Sequence, residues 1–184
     1  DAALRASALD WIIFKPGLVL SRDAYGGTAL LRMMASAPID VLIHADAKVQ
    51  AVSMVDVVGA VRRALKGEIP SRADYDLVEE APHSLAEVIA RFRTWLGFPT
   101  PGLRFRAAAA TAAPINFLAD VAGWLGWRSA LRSTAMKVMA ENVIGDPAPW
   151  RAAAGRPNAS LDTFIRANPA PAQDRTYARA QLAL

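Results

Sequence analysis

The sequence predicts an α/β protein in which a first half of alternating strands and helices is followed by a mainly helical second half. Three observations support this prediction. An apolar run extends from Trp11 to Ser21, strand and helix patterns then alternate as far as Leu96, and the patterns beyond Pro99 are helical. With 184 residues, of which 53% are hydrophobic, the chain is long enough to bury a core.

The opening run, WIIFKPGLVLS at Trp11–Ser21, is typical of a buried strand because seven of its first ten residues are apolar. Pro16-Gly17 interrupts it. A buried strand that ends in Pro-Gly turns sharply and exposes the backbone amides and carbonyls that follow, at the edge where parallel sheets bind ligands. An ordinary Pro-Gly turn has the same sequence, so the pattern alone leaves both interpretations open.

Helix and strand patterns alternate between Thr28 and Leu96. Gly67 and Gly97 follow two of the helices and are typical helix stops. Ser84, with Glu87 three residues later, predicts a capping box. The predicted elements are helices at Thr28–Ala37, Asp56–Lys66 and Leu85–Leu96, and extended segments at Val41–His44, Val49–Met54 and Asp74–Glu80.

The helix predicted at Asp56–Lys66 is amphipathic. Asp56 is interpreted as its N-cap rather than as a catalytic base. Arg62 and Arg63 lie on one face, and the opposite face is apolar. That apolar face comprises Val57, Val58, Val61 and Leu65.

The second half has a different character. Pro, Gly and Arg punctuate 99–106, which we interpret as a connection. Helical patterns follow at Ala107–Trp124, Leu131–Val143 and Leu161–Ala167. We therefore divide the chain into residues 1–98, an α/β part that also includes part of the following lobe, and 99–184, a helical C-terminal lobe and tail.

Two apolar stretches bear on membrane association. Ala107–Trp127 is Ala-rich and interrupted by polar residues, which favours a soluble or surface-lying helix over a membrane span. Ala172–Leu184 stops in the middle of its pattern. It is interpreted either as a terminal helix of a soluble protein or as the start of a membrane extension.

Composition excludes several classes of site. The absence of cysteine rules out disulfides, thiolate metal sites and a cysteine nucleophile, and it fits a cytoplasmic protein. Lys and Arg exceed Asp and Glu by 21 to 17, but the arginines, Arg93 among them, are scattered along the chain. We interpret them as a mildly basic surface and expect no nucleic-acid partner.

No catalytic constellation is visible. His44 and His83 lack partners at metal-ligand spacing, so we expect no metal site. No serine has the context of a nucleophile elbow. Glu79 and Glu80 follow an apolar strand and are interpreted as its solvated end. Gly26-Gly27 fits either a phosphate cradle at a helix N-terminus or a plain turn.

The order of several segments resembles extended or atypical short-chain dehydrogenase/reductases, the NAD-dependent epimerase-like, NAD(P)-binding Rossmann group. This resemblance covers Asp1–Leu96. Later segments resemble a bacterial branch of that group whose members often continue into a DoxX-like membrane region. The early segments are Trp11–Ser21, the Gly26-Gly27 helix start, Val49–Val57, and Tyr75–Val78 before Ser84-Leu85; the later ones are Leu131–Thr134, Glu141–Trp150, Ala159–Leu161 and Gln173–Arg175.

The resemblance implies a Rossmann domain with a smaller C-terminal substrate-binding lobe, of which this chain holds the last strands and the lobe. The family's glycine-rich phosphate fingerprint and its Tyr-x-x-x-Lys catalytic pair lie upstream of the Trp11 strand, so no catalytic residue is assigned in this chain. By this resemblance the complete protein is an NAD- or NADP-dependent oxidoreductase or epimerase, and this portion alone is inactive. A non-catalytic nucleotide-binding or membrane-surface assembly protein of the same fold is the alternative.

The resemblance also implies site residues. The family's Pro-Gly-x-Val-x-Ser/Thr segment, which lines the nicotinamide end of the cofactor, matches Pro16, Gly17, Val19 and Ser21. Lys15 departs from the family's usual arginine, a conservative change. The loop at Tyr25, Gly26 and Gly27 is implied to contact a small-molecule substrate. The N-terminal Rossmann half of the same protein is the other implied partner, and the implied location is the cytoplasm, with the inner face of the cytoplasmic membrane as an alternative.

Overall fold

The computed structural model describes residues 1–24, 26–107 and 142–183. The helices predicted at Ala107–Trp124 and Leu131–Val143 lie outside these residues except at Ala107, Asn142 and Val143. The described residues form eight strands and seven helices. These are α1 (Ala2–Arg5), β1 (Ile12–Pro16), β2 (Leu18–Leu20), α2 (Gly27–Ser36), β3 (Ile39–Ile43), β4 (Lys48–Val49), β5 (Ala51–Ser53), α3 (Met54–Leu65), β6 (Ala73–Leu77), β7 (His83–Ser84), α4 (Leu85–Trp95), β8 (Leu103–Ala107), α5 (Ala148–Ala154), α6 (Leu161–Ala167) and α7 (Ala172–Ala183).

The chain folds into two compact units that interleave along the sequence. The first unit comprises Asp1–Ser21, Gln50–Pro82 and Ile144–Ala167, and the second comprises the other residues that the structure describes. Each unit is therefore assembled from segments that are distant in the chain. The expected division at residue 98 into a sheet part and a helical lobe remains a prediction about the complete protein.

The first unit contains two parallel strand pairs. β1 pairs with β6 from Ile12↔Ala73 to Pro16↔Leu77, and β2 pairs with β5 from Leu18↔Ala51 to Leu20↔Ser53. Parallel pairing requires crossover connections, and α3 lies in the connection from β5 to β6. This pairing confirms the predicted α/β fold class.

Aromatic side chains fill the core of the first unit. The rings of Phe14, Tyr75 and Trp150 have centroids 5.8 to 6.1 Å apart, and both contacts of Trp150 are edge-on. The indole N–H of Trp150 donates to Asn158 Oδ1 at 2.8 Å, so this buried donor is satisfied. Burial also raises the pKa of the Tyr75 phenol. The C-terminal segment that carries Trp150 is thus an integral part of this core.

Helix α3 begins two residues earlier than predicted. Ser53 is its N-cap, and the Ser53 hydroxyl accepts from the Asp56 amide at 3.0 Å. The interpretation of Asp56 as the cap is therefore wrong. The helix buries Asp56 and Ala60, whereas Val58 and Leu65 of the predicted apolar face are 50% and 83% exposed.

The second unit is built around α2 and α4. α2 is buried along nearly its whole length, from Thr28 to Ser36. The predicted capping box of α4 is confirmed, because Ser84 N donates to Glu87 Oε2 at 2.7 Å and Glu87 N donates to Ser84 Oγ at 3.2 Å. Helix α7 is anchored to α2 by a hydrogen bond from Ser36 Oγ to Ala178 O at 3.1 Å.

Two expectations for this unit are wrong. Leu103–Ala107 forms strand β8 and pairs in parallel with β3, although residues 103–106 were predicted as a connection and Ala107 as the start of a helix. Its stability as a strand depends on a partner more than 60 residues earlier, which local punctuation does not reveal. Arg93, counted as a surface arginine, is 5% exposed and forms an ion pair with Asp40.

Among the described residues, no helix is both long and apolar enough to cross a membrane.

Candidate functional site

The Pro16-Gly17 break is a change of strand partner. β1 pairs with β6 up to Pro16, and β2 pairs with β5 from Leu18. Where the partner changes, Gly17 N donates to Leu77 O at 3.1 Å and Leu18 N donates to Gln50 O at 2.9 Å. The amides of Gly17 and Leu18 are thus used inside the sheet, and the expectation that the turn exposes them is wrong.

Gly17 is needed for a close backbone approach. A Cβ at this position would lie 2.3 Å from Gln50 O and 3.0 Å from Val78 Cγ1. The first distance is far below van der Waals contact, and the atom approached belongs to the backbone, which cannot rotate away. Gly17 therefore allows one strand to be hydrogen-bonded to two partners in succession.

Val19 faces the other way. In a parallel ladder, successive residues direct their N–H and C=O groups to opposite sides of the strand. Because Leu18 donates to β5, the N–H and C=O of Val19 point away from β5, towards the opposite edge of β2. Ser21 follows directly after β2 and is half-buried, and Pro16 is exposed. Val19 thus presents one donor and one acceptor at a strand edge.

The Lys15 side chain contacts strand β6. Its Nζ donates to Asp74 Oδ2 at 2.6 Å on the neighbouring strand, and Arg5 pairs with the same carboxylate. These two cations, Lys15 first, lower the pKa of Asp74. The Lys15 side chain thus forms a surface ion pair.

Gln50 joins the strand edge to the C-terminal segment and was missed from the sequence. It is 3% exposed, and its side chain donates to Glu79 O at 2.7 Å and accepts from Gly145 N at 2.8 Å. Both of these hydrogen bonds are to backbone groups, so the side chain acts as a connector between segments. An amide side chain between Val49 and Ala51, within the predicted extended segment Val49–Met54, was the signal that could have identified it.

Glu79 is buried, contrary to the interpretation of a solvated strand end. It is 1% exposed, and its two carboxylate oxygens accept from Ala51 N at 2.8 Å and Leu161 N at 2.9 Å. Only Glu80 fits the expectation, since it is exposed and pairs with Arg151. The Glu79 carboxylate therefore connects β5 to the start of α6 through two charge-assisted hydrogen bonds.

Asp56 has a similar structural role. Its Oδ2 accepts from Ser53 Oγ at 2.8 Å and Ala159 N at 3.0 Å, and its Oδ1 accepts from Arg156 at 3.0 Å. These contacts occupy both oxygens of a carboxylate that is 5% exposed. Asp56 and Glu79 together fix the segment that precedes α6 onto the ends of the strands.

The predicted substrate loop belongs to the second unit, whereas Pro16–Ser21 belong to the first. Gly26 is the N-cap of α2, with φ 53° and ψ −125°, and Gly27 is the first helical residue. Only glycine adopts this backbone conformation readily, so Gly26 serves a turn. Tyr25 lies outside the described residues.

One of the two histidines lies in a turn and the other in a strand. His44 follows β3 with φ 58°, and its carbonyl accepts from Ala47 N at 3.0 Å. His83 lies in β7, opposite Val49. Within the described ranges, the structure contains no group of three or more His, Cys, Asp or Glu residues arranged to hold a metal ion.

Comparison with known proteins gives structural neighbours. RMD from Pseudomonas aeruginosa, solved with NADPH, matches with a TM-score of 0.56 at 12% identity, over 92% of this chain and 48% of its own. The Bordetella bronchiseptica enzyme WbmG, solved with NAD and UDP, matches with a TM-score of 0.61 at 15% identity, over 91% and 46%. UDP-glucose 4-epimerase from Thermotoga maritima, solved with UDP-glucose, matches with a TM-score of 0.53 at 12% identity, over 97% and 48%.

These likenesses concern the fold. No protein-family model matches the sequence, and no curated protein matches it either. The chain spans about half the length of the structures that it resembles. At 12 to 15% identity, the arrangement of parallel strands and helices is what the chain shares with them. The chain thus has a Rossmann-like α/β fold, as these solved structures have.

Proposed function

We propose that this chain is the C-terminal, substrate-lobe portion of an NAD(P)-dependent oxidoreductase or epimerase of the short-chain dehydrogenase/reductase group. The observation that supports the proposal most is the edge of β2, where Val19 directs a donor and an acceptor away from the sheet partner of this strand. A nicotinamide carboxamide has the complementary pair of groups, an amide N–H and a carbonyl.

In this proposal, residues 16–21 position the nicotinamide ring. The Val19 backbone accepts from and donates to the carboxamide, and the Ser21 hydroxyl adds a further hydrogen bond. Gly17 and the Gln50–Glu79 network hold the strand in place without using groups that the cofactor needs. When bound, the cofactor supplies or accepts a hydride. Residues 16–21 are compatible with both NAD and NADP, because the two cofactors share the nicotinamide end and differ only by a phosphate on the adenosine ribose.

The complete protein would contribute the remaining machinery. A Tyr/Lys pair and a glycine-rich phosphate loop in an N-terminal half would supply proton transfer and pyrophosphate binding. The substrate would be a small molecule contacted by the loop at Tyr25, Gly26 and Gly27. Since two neighbours were solved with UDP or UDP-glucose, a nucleotide sugar is the substrate class to test first.

The proposal is tested by cofactor binding to the full-length protein. Ser21→Ala should weaken NADH or NADPH binding by about two- to tenfold, the range expected for one hydrogen bond. Ser71→Ala, an exposed serine of the same unit, is the matched control and should leave binding unchanged. Full-length protein that binds neither nucleotide would refute the proposal.

A second test separates the two halves. The 184-residue chain by itself should show no turnover with any nicotinamide cofactor, because the Tyr/Lys pair is assigned to the upstream half. Measured turnover from this portion would contradict that division of labour. An intact Tyr-x-x-x-Lys upstream of Asp1 would support an enzyme, and its absence would support a binding role.

The alternative function is a non-catalytic nucleotide-binding protein that assembles at a membrane surface. The observation that favours it is the exposed apolar side of α3, where Val55 is 80% and Leu65 is 83% exposed. The first proposal places the protein in the cytoplasm, and the alternative places it at the inner face of the cytoplasmic membrane, as does the proposed DoxX-like branch. Liposome co-sedimentation at low and high salt tests the alternative, and absence of binding at both would argue against it.

A further inference from the structure

Helix α7 docks on the second unit with little apolar burial. Within residues 172–180, Ala178 is the one buried side chain and Asp174 is half-buried. The other side chains of this range are exposed, among them Tyr177 at 57%. The helix that α7 contacts, α2, is by contrast buried along nearly its whole length. Since a docked helix gains most of its stability from buried apolar surface, α7 gains little from this source.

Polar groups of α2 hold α7. Arg32 and Ser36 lie one turn apart on α2. Ser36 Oγ donates to Ala178 O at 3.1 Å, and Arg32 Nη1 lies 3.5 Å from Asp174 Oδ2. A cavity of about 360 Å³ lies along the same contact, and Arg32, Asp174, Tyr177 and Ala178 are among the residues that line it. Dispersion contacts between the two helices are lost where this cavity separates them.

Two arginines of α7 hold it to the end of α4. Arg175 Nη2 donates to Gly97 O at 2.8 Å. The guanidinium carbons of Arg175 and Arg179 lie 5.3 and 5.0 Å from the centre of the Phe98 ring. Both arginines are exposed, whereas Phe98 is 7% exposed. Contacts of exposed charges are weakened by dissolved salt, so the strength of this attachment depends on ionic strength.

We propose that α7 is a releasable helix, which detaches from α2 and α4 as one piece while the rest of the second unit stays folded. In the released state, water can hydrogen-bond to Arg32 and Ser36, and Phe98 becomes accessible. Raised ionic strength favours release because it screens the contacts of the charged groups. This inference goes beyond the proposed nicotinamide function, since it involves none of residues 16–21. Its test therefore succeeds or fails independently of cofactor binding.

Amide hydrogen exchange of the full-length protein tests the proposal. It is measured in about 0.1 M and about 1 M sodium chloride, between which the Debye length falls from about 10 Å to about 3 Å. The amides of residues 176–180 should share one opening constant, at least about tenfold larger than that of α2, because local opening precedes global unfolding. That constant should rise with salt. Equal opening constants for α7 and α2, or no effect of salt on α7, would overturn the proposal.

A single variant locates the attachment. Arg175→Met keeps a long side chain of similar helix propensity but removes the hydrogen bond to Gly97 O and one guanidinium from the Phe98 ring. It should raise the opening constant of α7 by about three- to tenfold and leave that of α2 unchanged, as expected for loss of one charged hydrogen bond at an exposed position.

The matched control makes the same change elsewhere. Arg166→Met replaces an exposed arginine of α6 in the first unit and should leave the opening constants of α7 and α2 unchanged. An Arg175→Met variant that affects α7 no more than this control does would contradict the assignment. Equal acceleration of α2 and α7 in Arg175→Met would contradict it as well, because the two helices would then open together.

Discussion

The two units bury charge in opposite ways. In the first unit, the buried carboxylates of Asp56 and Glu79 accept hydrogen bonds from backbone amides. In the second unit, the buried guanidiniums of Arg32 and Arg93 face carboxylates and donate to backbone carbonyls. Each kind of charge is thus matched to the backbone group that it can bond.

This difference has a consequence for the proposed site. A carboxylate that binds two amides from distant segments fixes the backbone on both sides of it, as Glu79 does for Ala51 and Leu161. A buried arginine depends on its partner carboxylate, because either charge alone would be strongly disfavoured. We therefore expect the first unit to hold the rigid strand edge, and the second unit to be the one more sensitive to loss of a single charge.

Breaking the Arg93–Asp40 pair should have the largest effect. Arg93 Nη2 donates to Asp40, and its Nη1 donates to Ala37 O at 2.9 Å and Pro99 O at 3.3 Å. Arg93→Met leaves a buried carboxylate without this partner and should cost about 3–5 kcal/mol in free energy of unfolding, measured by urea denaturation. The double variant Arg93→Met/Asp40→Leu should recover much of that loss. A double variant as unstable as the single one would show that the carbonyl contacts dominate.

Removal of Glu79 should follow closely. Glu79→Ala leaves the amides of Ala51 and Leu161 buried without their acceptors, at a total cost of about 2–4 kcal/mol in free energy of unfolding. Its neighbour Glu80 is exposed and pairs with Arg151, which is exposed as well, so Glu80→Ala should cost less than about 1 kcal/mol. Equal costs for the two neighbours would contradict the structural role assigned to the buried Glu79 carboxylate.

A methyl group at Gly17 tests the rigidity of the strand edge. Gly17→Ala places a Cβ 2.3 Å from Gln50 O and should destabilise the protein by about 1–3 kcal/mol. Gly59→Ala is the matched control. Gly59 lies in α3, and a Cβ at this position would meet nothing within 4 Å. This control should be stabilising by about 0.5–1 kcal/mol. A Gly17→Ala variant with wild-type stability would mean that the backbone can move to accommodate the methyl group at the point where the strand changes partner.

The capping box of α4 should give the smallest effect. Ser84→Ala removes the hydroxyl that caps Glu87 N and should cost about 1 kcal/mol. The Ser84 amide, and then its hydroxyl, lower the pKa of Glu87 below its ordinary value. A lowered carboxylate pKa contributes stability above the unfolded pKa, and this contribution is lost as pH falls through the folded pKa. Glu87→Gln should therefore flatten the acid dependence of unfolding, and an unchanged acid limb would contradict this assignment.

Local patterns predicted much of the fold. The Ser84–Glu87 box and the glycine stops, where Gly67 and Gly97 have φ of 68° and 71°, depend only on neighbouring residues. Strand β8 and the burial of Glu79 depend on partners distant in sequence, so periodicity gave no sign of them. The buried face of α3 was misjudged for the same reason, because Asp56 is buried through contacts with Arg156 and Ala159.

The sequence indicated where the candidate site lies but not how its backbone groups are hydrogen-bonded. The Pro16-Gly17 break marks a special point in the sheet, but the sequence suggested exposed amides where the structure shows a change of strand partner. Which amide points outward follows from ladder register, and register requires the partner strand to be known. The role of Gln50 depended on the same information.

Hydrogen exchange at Val19 tests the central claim most directly. The Val19 amide points away from β5, whereas the amides of Gly17 and Leu18 already donate to Leu77 O and Gln50 O. Saturating the full-length protein with NAD or NADP should slow exchange at Val19 and leave the ratio of exchange rates at Gly17 and Leu18 unchanged. Cofactor binding that leaves the Val19 amide unprotected would contradict the assignment of this strand edge to the nicotinamide.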